Sequence, residues 1–230
     1  MDSTLTDQQK YYMLMSFNAK YNDDYTPLIE VRPSKYGKGV FSKGFIKKDE
    51  IVTFYPAHYV FIKNKINKLS SVFTELDEKH NDEYRLSLHT DDSSYDIAGS
   101  PSLYQNPLML GHMLNDPIDL IPIEKGKEVD WLCRYAIEST LKSNCKFIYD
   151  KKHKMMSIVT TKDINKDEEL LTSYGWKYWF IRTLRNQKVG EKKIKKIYNN
   201  SLDYFKTRDK KALLIKTILG DSPHSFEKMD

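Results

Sequence analysis

The sequence predicts a fold of the α+β class that is mostly β, with helices appended to it. Short runs rich in β-branched residues and bounded by polar turns are typical of strands, as at residues 156–160 and the turn 162–167. Apolar residues at helical spacing before residue 22 and after Gly175 indicate helices. With 230 residues, 40% hydrophobic and 30% charged, the chain suits one globular domain with an appendage.

The N-terminal part of the chain is predicted to be helical. Residues 4–21 place apolar side chains on one side, and Thr4 or Thr6 provides a cap at the start. The stretch 22–27, which contains Asn, Asp and Pro, ends this helix. We therefore expect residues 1–27 to form a helical extension that packs against the main domain.

The central part of the chain is predicted to consist of short strands. One strand begins at residues 28–31. Residues 83–90 and 95–98 alternate in hydrophobicity around a polar turn at 91–94, and this pattern predicts a β-hairpin. Later segments are predicted as a partly helical stretch followed by two strands, at residues 131–141, 145–149 and 155–160.

The C-terminal part is predicted to be helical and basic. Helical spacing covers residues 176–187, 191–206 and 208–219. From Lys177 onward the sequence has 14 Lys or Arg and 6 Asp or Glu, a net charge of +8, whereas the residues before it carry −3. Such lysines are usually the solvated faces of helices, and nucleic acid or an acidic partner is the alternative. We expect residues 180–230 to form a basic helical segment.

Composition also bears on the compartment. No apolar run approaches the roughly 18 residues that span a membrane, and the first residues lack the features of a signal peptide. The two cysteines, Cys133 and Cys145, are consistent with a reducing environment and cannot alone form a four-thiolate zinc site. We therefore expect an intracellular protein without a metal or a membrane partner.

Residues 163–175 read DINKDEELLTSYG, which places a Tyr-Gly pair after a charged turn and two leucines. This stretch resembles the end of the SET domain, the fold of protein lysine methyltransferases. Asp167 stands where the family has a glycine. The residues that match the family's order and spacing are Asp163, Ile164, Glu168, Glu169, Leu170, Tyr174 and Gly175.

A second match lies upstream, in residues 31–52. Gly37-Lys38-Gly39 resembles the start of the SET domain, where a glycine-flanked turn lets backbone amides approach an anion such as a cofactor carboxylate. An ordinary hairpin turn is the alternative interpretation. Residues 46–51 and 164–169 also echo each other, and both have Asp where the family prefers Gly.

A third match lies at residues 110–117, which resemble the family's Asn-His segment. Asn115 matches the Asn, and Asp116 replaces the His. The resemblance implies that Asn115 binds the cofactor's amino group, because a carboxamide offers a donor and an acceptor, and that the neighbouring backbone binds adenine. Taken alone, Asn-Asp-Pro predicts only a turn. A further Asn, at 144, follows only after a long insertion.

These matches imply a SET-type β fold of short sheets with a knot-like C-terminal crossing, over residues 28–179. They imply S-adenosylmethionine as the cofactor and methyl transfer to a lysine of a protein, for which a histone tail is one candidate. The implied pocket brings together the segments around residues 38, 115 and 174. The implied cofactor-binding residues are Lys38, Gly39, Asn115, Asp116, Tyr174 and Trp179, and the implied catalytic residues are Tyr174 and Tyr84.

Several alternatives stay open from the sequence. Tyr84 also suits an ordinary half-buried strand, and Trp176, Tyr178 and Trp179 suit core packing as well as the wall of a cofactor or lysine channel. The helical tail is expected to replace the zinc segment that many SET proteins have. The rival functions are a catalytically inactive SET-fold binding module and a basic nucleic-acid-binding protein. We expect a nuclear location if the substrate is a histone, and the compact zinc-free layout resembles SET proteins of large DNA viruses or AT-rich protists.

Overall fold

The computed structural model describes residues 5–18, 28–62, 65–67, 84–89, 94–119, 121–150 and 155–206. Its contacts define two compact units. The first contains the described residues up to Asn115 together with Asn144–Leu171, and the second contains Asp116–Ser143 and the described residues from Thr172 onward. The predicted helix at 208–219 and the predicted break at 22–27 lie outside the described residues. So do residues 91–93 of the predicted turn at 91–94, whose last residue, Ser94, is the first residue of a strand.

The first unit begins with helix α1, Asp7–Asn18, which confirms the N-terminal helix prediction. Its start is closed by a reciprocal cap, because the Gln9 amide donates to Thr6 Oγ1 at 3.3 Å and the Thr6 amide donates to Gln9 Oε1 at 2.9 Å. Tyr12 is buried on this helix, and its hydroxyl donates to the Tyr55 carbonyl. The cap and the buried tyrosine together fix the helix on the strands of this unit.

The first sheet has the order β1-β2-β10, formed by Ile29–Ser34, Gly37–Ser42 and Glu169–Leu170. A two-residue turn at 35–36 joins β1 to β2, and Gly37 follows it with a φ of 106°, a left-handed value that favours glycine. The sequence predicted a glycine-flanked turn at residues 37–39. In the structure these residues begin strand β2, and the turn lies at residues 35–36. The turn forms earlier because Gly37 supplies the backbone conformation needed to enter β2.

Two further sheets complete the first unit, and all of their strand pairs are antiparallel. Strand β6, Arg85–His89, pairs with strand β7, Ser94–Ala98, so that Arg85 lies opposite Ala98 and His89 opposite Ser94, which confirms the predicted hairpin. The second sheet has the order β3-β9-β8, formed by Ile51–Phe54, Met155–Thr160 and Cys145–Asp150. The third has the order β5-β4-β7-β6, formed by Lys65–Asn67, Tyr59–Ile62, Ser94–Ala98 and Arg85–His89.

The two echoing segments of the sequence adopt the same turn conformation. Asp49 and Asp167 both have a φ of 67°, in the left-handed region that glycine adopts without a steric penalty. The segments also pair with each other, because Ile46 and Ile164 exchange backbone hydrogen bonds of 2.9 and 2.8 Å. This geometry explains the family's preference for glycine there, and Asp is among the few other residues that tolerate it.

A comparison of two substitutions at Asp49 tests this explanation. Its side chain is exposed, so the backbone conformation should dominate the outcome. We expect Asp49→Ala to have a free energy of unfolding about 1 kcal/mol lower than Asp49→Gly, because Ala meets the left-handed steric penalty and Gly does not. Urea denaturation of the two variants measures the difference. Equal stabilities would show that φ at this position does not limit the residue type.

His112 is a buried ionisable side chain of the first unit. Its Nε2 donates to the Ser100 carbonyl at 2.9 Å, and its Nδ1 is buried without a hydrogen-bond partner. The rings of Tyr55, His58 and Tyr84 contact it edge-on. Burial lowers the pKa of His112 from 6.5 to about 4, against the opposing effect of the Ser100 carbonyl.

We expect this histidine to make the protein sensitive to acid. The unfolded chain binds the proton below pH 6.5 and the native state only below about 4, so stability falls as the pH drops through that interval. The loss attributable to His112 should reach about 3 kcal/mol. Urea denaturation at several pH values measures it, with His112→Gln as the non-titrating control. An identical pH dependence in the two proteins would contradict the expectation.

The second unit is helical and is built around one aromatic core. Its helices are α2, Glu128–Lys142, α3, Trp176–Asn186, and α4, Glu191–Lys206, and the latter two confirm predicted helices. In the core, the Trp131 ring stacks on Tyr135 at 5.8 Å, and the Trp176 ring stacks on Tyr198 at 5.4 Å between centroids. Trp176 is therefore a core residue. None of the described helices is long and apolar enough to cross a membrane.

Candidate functional site

In the first unit, a polar cluster forms where β2 and β10 pair. Glu169 lies opposite Phe41, and the residue after β10, Leu171, bridges to Asn115. The Asn115 Nδ2 atom lies 2.8 Å from Glu169 Oε1, 3.0 Å from the Lys38 carbonyl oxygen and 3.3 Å from Ser34 Oγ. Residues far apart in the sequence therefore meet around one amide group.

Gly39 leaves open the space that a side chain would fill, and the cluster occupies that space. A Cβ atom built on Gly39 would lie 2.1 Å from Glu169 Oε1 and 2.8 Å from Asn115 Nδ2. Both separations are far below van der Waals contact. The missing side chain thus creates the cradle that holds the carboxylate and the amide next to the strand backbone.

Lys38 contributes its backbone and its side chain to different neighbours. Its carbonyl oxygen accepts from Asn115, as described above. Its exposed Nζ donates to the Tyr104 hydroxyl at 2.7 Å and lies 3.9 Å from the centroid of that ring. A cation over an aromatic face is stabilising, and this contact directs the side chain toward Tyr104.

Asn144 fixes the strand that carries Glu169. Its Oδ1 accepts from the Leu171 amide at 2.7 Å, and its Nδ2 donates to the Glu169 carbonyl at 2.8 Å. The backbone amides of Asn144 and Cys145 both donate to the Leu171 carbonyl, at 3.1 and 2.9 Å. The buried Asn144 side chain therefore hydrogen-bonds to the backbone at Glu169 and at Leu171, as the backbone of a neighbouring strand would.

Tyr84 lies immediately before β6 and is half-buried. Its carbonyl accepts from the Tyr55 hydroxyl and from the Gly99 amide, the latter at 3.3 Å. Its ring contacts His112 edge-on at 6.2 Å between centroids. These contacts suit an ordinary strand tyrosine, and its catalytic role stays a prediction.

In the second unit, Tyr174 belongs to an aromatic cluster at the start of α3. Its ring stacks on Trp179 at 5.8 Å with an interplanar angle of 9°, and it contacts Tyr178 edge-on at 5.6 Å. The Arg182 guanidinium lies 5.8 Å from the centroids of both Tyr178 and Trp179. The aromatic cluster therefore already interacts with one cation, Arg182, because the faces of aromatic rings attract positive charge.

Asp116 supports the backbone that carries Tyr174. Its Oδ2 accepts from the Tyr174 amide at 2.8 Å and from the Tyr135 hydroxyl at 2.7 Å, and its Oδ1 accepts from the Ile118 amide at 3.2 Å. Burial raises the pKa of Asp116, opposed first by the hydrogen bond from Tyr174. The buried Trp179 Nε1 approaches this carboxylate without reaching hydrogen-bond geometry.

Tyr135 extends this support from the inserted helix α2. Its hydroxyl, beyond its bond to Asp116, accepts from the Gly175 amide at 3.1 Å and lies 2.9 Å from Ser173 Oγ. Burial, together with the charge of Asp116, raises the pKa of Tyr135. The phenol is therefore neutral at physiological pH and serves as a hydrogen-bonding group for the Tyr174 segment.

The sequence-predicted residues fall into two groups. Lys38, Gly39 and Asn115 lie together in the first unit, whereas Asp116, Tyr174 and Trp179 lie together in the second. Their assignments to cofactor or substrate stay predictions. Sequence reasoning assigned no role to four supporting residues. Glu169 lay within the first motif and Asn144 was noted as the further Asn after the insertion, whereas Ser34 and Tyr135 gave no usable signal.

The three small antiparallel sheets, with these segments in this order along the chain, define a SET-type domain. The family model described as "SET domain" matches residues 37–175, more than half of the chain, and the chain therefore belongs to the SET domain family. This result confirms the fold class predicted from the sequence. A comparison with curated proteins found no match.

Solved structures include similar proteins at low identity. The methyltransferase domain of human PR domain-containing protein 2 is 14% identical, with a TM-score of 0.40, over 75% of this chain and 87% of that chain. The ATXR5 SET domain, solved in complex with histone H3 dimethylated on R26, is 18% identical, with a TM-score of 0.37. That similarity covers 64% of this chain and 57% of the ATXR5 chain.

Proposed function

We propose that this protein transfers a methyl group from S-adenosylmethionine to the side-chain amine of a lysine in a protein substrate. The observation that carries the proposal is the contact between Asn115 and the backbone of the Lys38–Gly39 segment. These two places are the ones that the family resemblance assigns to the cofactor, and they meet at 3.0 Å although 77 residues separate them. Family membership supports the same reaction class.

The residues of the first unit fit the amino-acid part of this cofactor. The cradle at Gly39 holds the Glu169 carboxylate and the Lys38 carbonyl, two acceptors that recognise an ammonium group through hydrogen bonds and charge, and Asn115 Nδ2 donates to both of them. When bound, S-adenosylmethionine supplies a methyl group activated by the positive charge of its sulfonium. Asn115 and Lys38 would hold the amino-acid end in place.

Tyr174 is proposed to position the lysine amine. A free lysine has a pKa of about 10.4, so the site must favour its neutral form, and apolar surroundings do so by disfavouring the charged form. The rings of Tyr174, Tyr178 and Trp179 provide such surroundings. The Tyr174 hydroxyl can accept a hydrogen bond from the lysine amine. This bond would orient the lone pair of the amine nitrogen toward the methyl group, and such alignment raises the rate of transfer.

The substrate is proposed to be a protein with an exposed lysine, with histone tails as the first candidates and a nuclear location if they are the substrate. Nucleic acid is a second proposed partner. Lys192, Lys193, Lys195 and Lys196 are exposed on α4, on the side opposite its buried Ile194. A row of exposed lysines suits a solvated face as well as a phosphate backbone, and retention on DNA at increasing salt distinguishes the two.

The deciding experiment uses labelled S-adenosylmethionine with a mixture of histones and cell extract, followed by mass spectrometry of the labelled proteins. Transfer of the label to lysine side chains supports the proposal. Binding of the cofactor without transfer to any protein would favour the inactive SET-fold module instead. Neither binding nor transfer would reject both.

A further inference from the structure

We propose that Glu169 is a cofactor-binding residue whose carboxylate receives the α-ammonium group of the bound cofactor. This inference rests on the proposed function and adds to it a residue that determines which ligands are accepted. It predicts that the site distinguishes adenosyl ligands by the presence of an amino group.

The hydrogen bonds around Glu169 leave unused acceptor capacity. A carboxylate offers about four acceptor positions. Among the described residues, one hydrogen bond reaches the Glu169 carboxylate, from Asn115 Nδ2 at 2.8 Å. The same Nδ2 group, with two hydrogens, also faces the Lys38 carbonyl at 3.0 Å and Ser34 Oγ at 3.3 Å. The two Nδ2 hydrogens are shared among three oxygens, so the Glu169 carboxylate keeps acceptor positions that the three hydrogens of an ammonium group can fill.

The charge of Glu169 points to the same kind of ligand. The side chain is half-buried, and none of the ion pairs within the described ranges includes it. The neighbouring cation Arg32 pairs with Glu30 at 3.2 Å and with Asp167 at 2.9 Å. A partly desolvated carboxylate without a cation is favourable only if a positive group or donors reach it, and a bound ammonium supplies both.

The backbone of Glu169 is held in place by other residues of the first unit. Its backbone pairs with Phe41 of β2 and is bonded by the buried Asn144 side chain at 2.8 Å. Its Oε1 lies in the space that a side chain at residue 39 would fill, 2.1 Å from the Cβ position of Gly39. A preorganised carboxylate loses little entropy on binding, and its contribution to affinity is correspondingly large.

The test is isothermal titration with S-adenosylhomocysteine and with the analogue of that ligand that lacks the amino group. The proteins are the full-length wild type, Glu169→Gln and the control Glu168→Gln. Glu168 is adjacent, but its carboxylate accepts from the Asn165 amide at 3.0 Å and from Asn144 Nδ2 at 3.4 Å instead. Circular dichroism and thermal unfolding show that each variant is folded.

We expect Glu169→Gln to weaken binding of S-adenosylhomocysteine about tenfold or more, because a hydrogen bond between charged groups is lost. The amino-free analogue should bind wild type and Glu169→Gln equally, and Glu168→Gln should change neither affinity. Equal weakening of both ligands, or no weakening of either, would overturn the role of Glu169 while leaving cofactor binding intact. Failure of the wild type to bind S-adenosylhomocysteine would overturn the proposed function and this inference with it.

If Glu169→Gln fails to fold, Glu169→Asp provides the second variant. It keeps the charge but shortens the side chain by one methylene, so the carboxylate withdraws from Asn115. We expect a smaller loss that again affects S-adenosylhomocysteine and spares the amino-free analogue. A loss of the same size for both ligands would contradict the assignment.

Discussion

Replacing Tyr174 with phenylalanine is expected to reduce methyl transfer about a hundredfold or more, the usual cost of removing one preorganised hydrogen-bonding group from a reacting site. The ring would still stack on Trp179 and contact Tyr178, so the aromatic cluster should keep its structure. The Tyr174 amide would still donate to Asp116, and the backbone should not move. The measurement is kcat and KM with the labelled cofactor, together with mass spectrometry of the number of methyl groups added.

The matched control is Tyr11→Phe, because Tyr11 is an exposed tyrosine of α1. Tyr11→Phe should leave activity unchanged. Titration with S-adenosylhomocysteine, the product formed from the cofactor, should show that Tyr174→Phe still binds this ligand. The hydroxyl could also act by limiting how many methyl groups enter, in which case the product distribution changes with the rate. Unchanged activity with an unchanged product would remove Tyr174 from its role.

Asp116→Ala is expected to lower the free energy of unfolding by about 3 kcal/mol or more, since it removes the acceptor of three donors and hydrogen bonds to charged groups contribute about 1.5 kcal/mol or more each. The donors are the Tyr135 hydroxyl and the backbone amides of Tyr174 and Ile118. Tyr135→Phe should cost roughly half as much, because Asp116 keeps its bonds to the two backbone amides. Urea denaturation provides the measurement.

The double variant Asp116→Ala/Tyr135→Phe separates a shared network from two independent effects. Since both substitutions remove the same hydrogen bond, the double variant should lose less stability than the sum of the two single variants. Strictly additive losses would show that the buried pair is not coupled. A loss below about 1 kcal/mol for Asp116→Ala would show that water replaces the missing acceptor.

Much of the fold could be predicted because local patterns determine it. The hairpin of β6 and β7 follows from alternation around a polar turn, and the helices α3 and α4 follow from apolar spacing. The turn at Gly37-Lys38-Gly39 was misplaced because glycine signals unusual backbone angles without saying on which side of the turn they occur. Here the left-handed residue, Gly37, follows the turn and is the first residue of β2.

The candidate site was only partly accessible to sequence reasoning. Gly39, Asn115 and Tyr174 stand in recognisable motifs, and the segments around residues 38 and 115, two of the three that were predicted to converge, meet at the Lys38 carbonyl. Tyr135 could not be found, because it lies in an insertion and acts on a segment 40 residues away. Glu169 belonged to a motif, but its role depends on the absent side chain of Gly39, which only the packing reveals.

The aromatic core of the second unit has a practical consequence for dissecting this protein. Trp131 and Tyr135 of the insertion share that core with Phe180 of α3 and with Ile194 and Tyr198 of α4. A fragment cut at the last residue that matches the family, 175, would strip those partners away and leave large aromatic surfaces of the insertion in water. The family's boundary is therefore not a safe place to shorten this chain, and α3 and α4 must be retained in any fragment that contains the insertion.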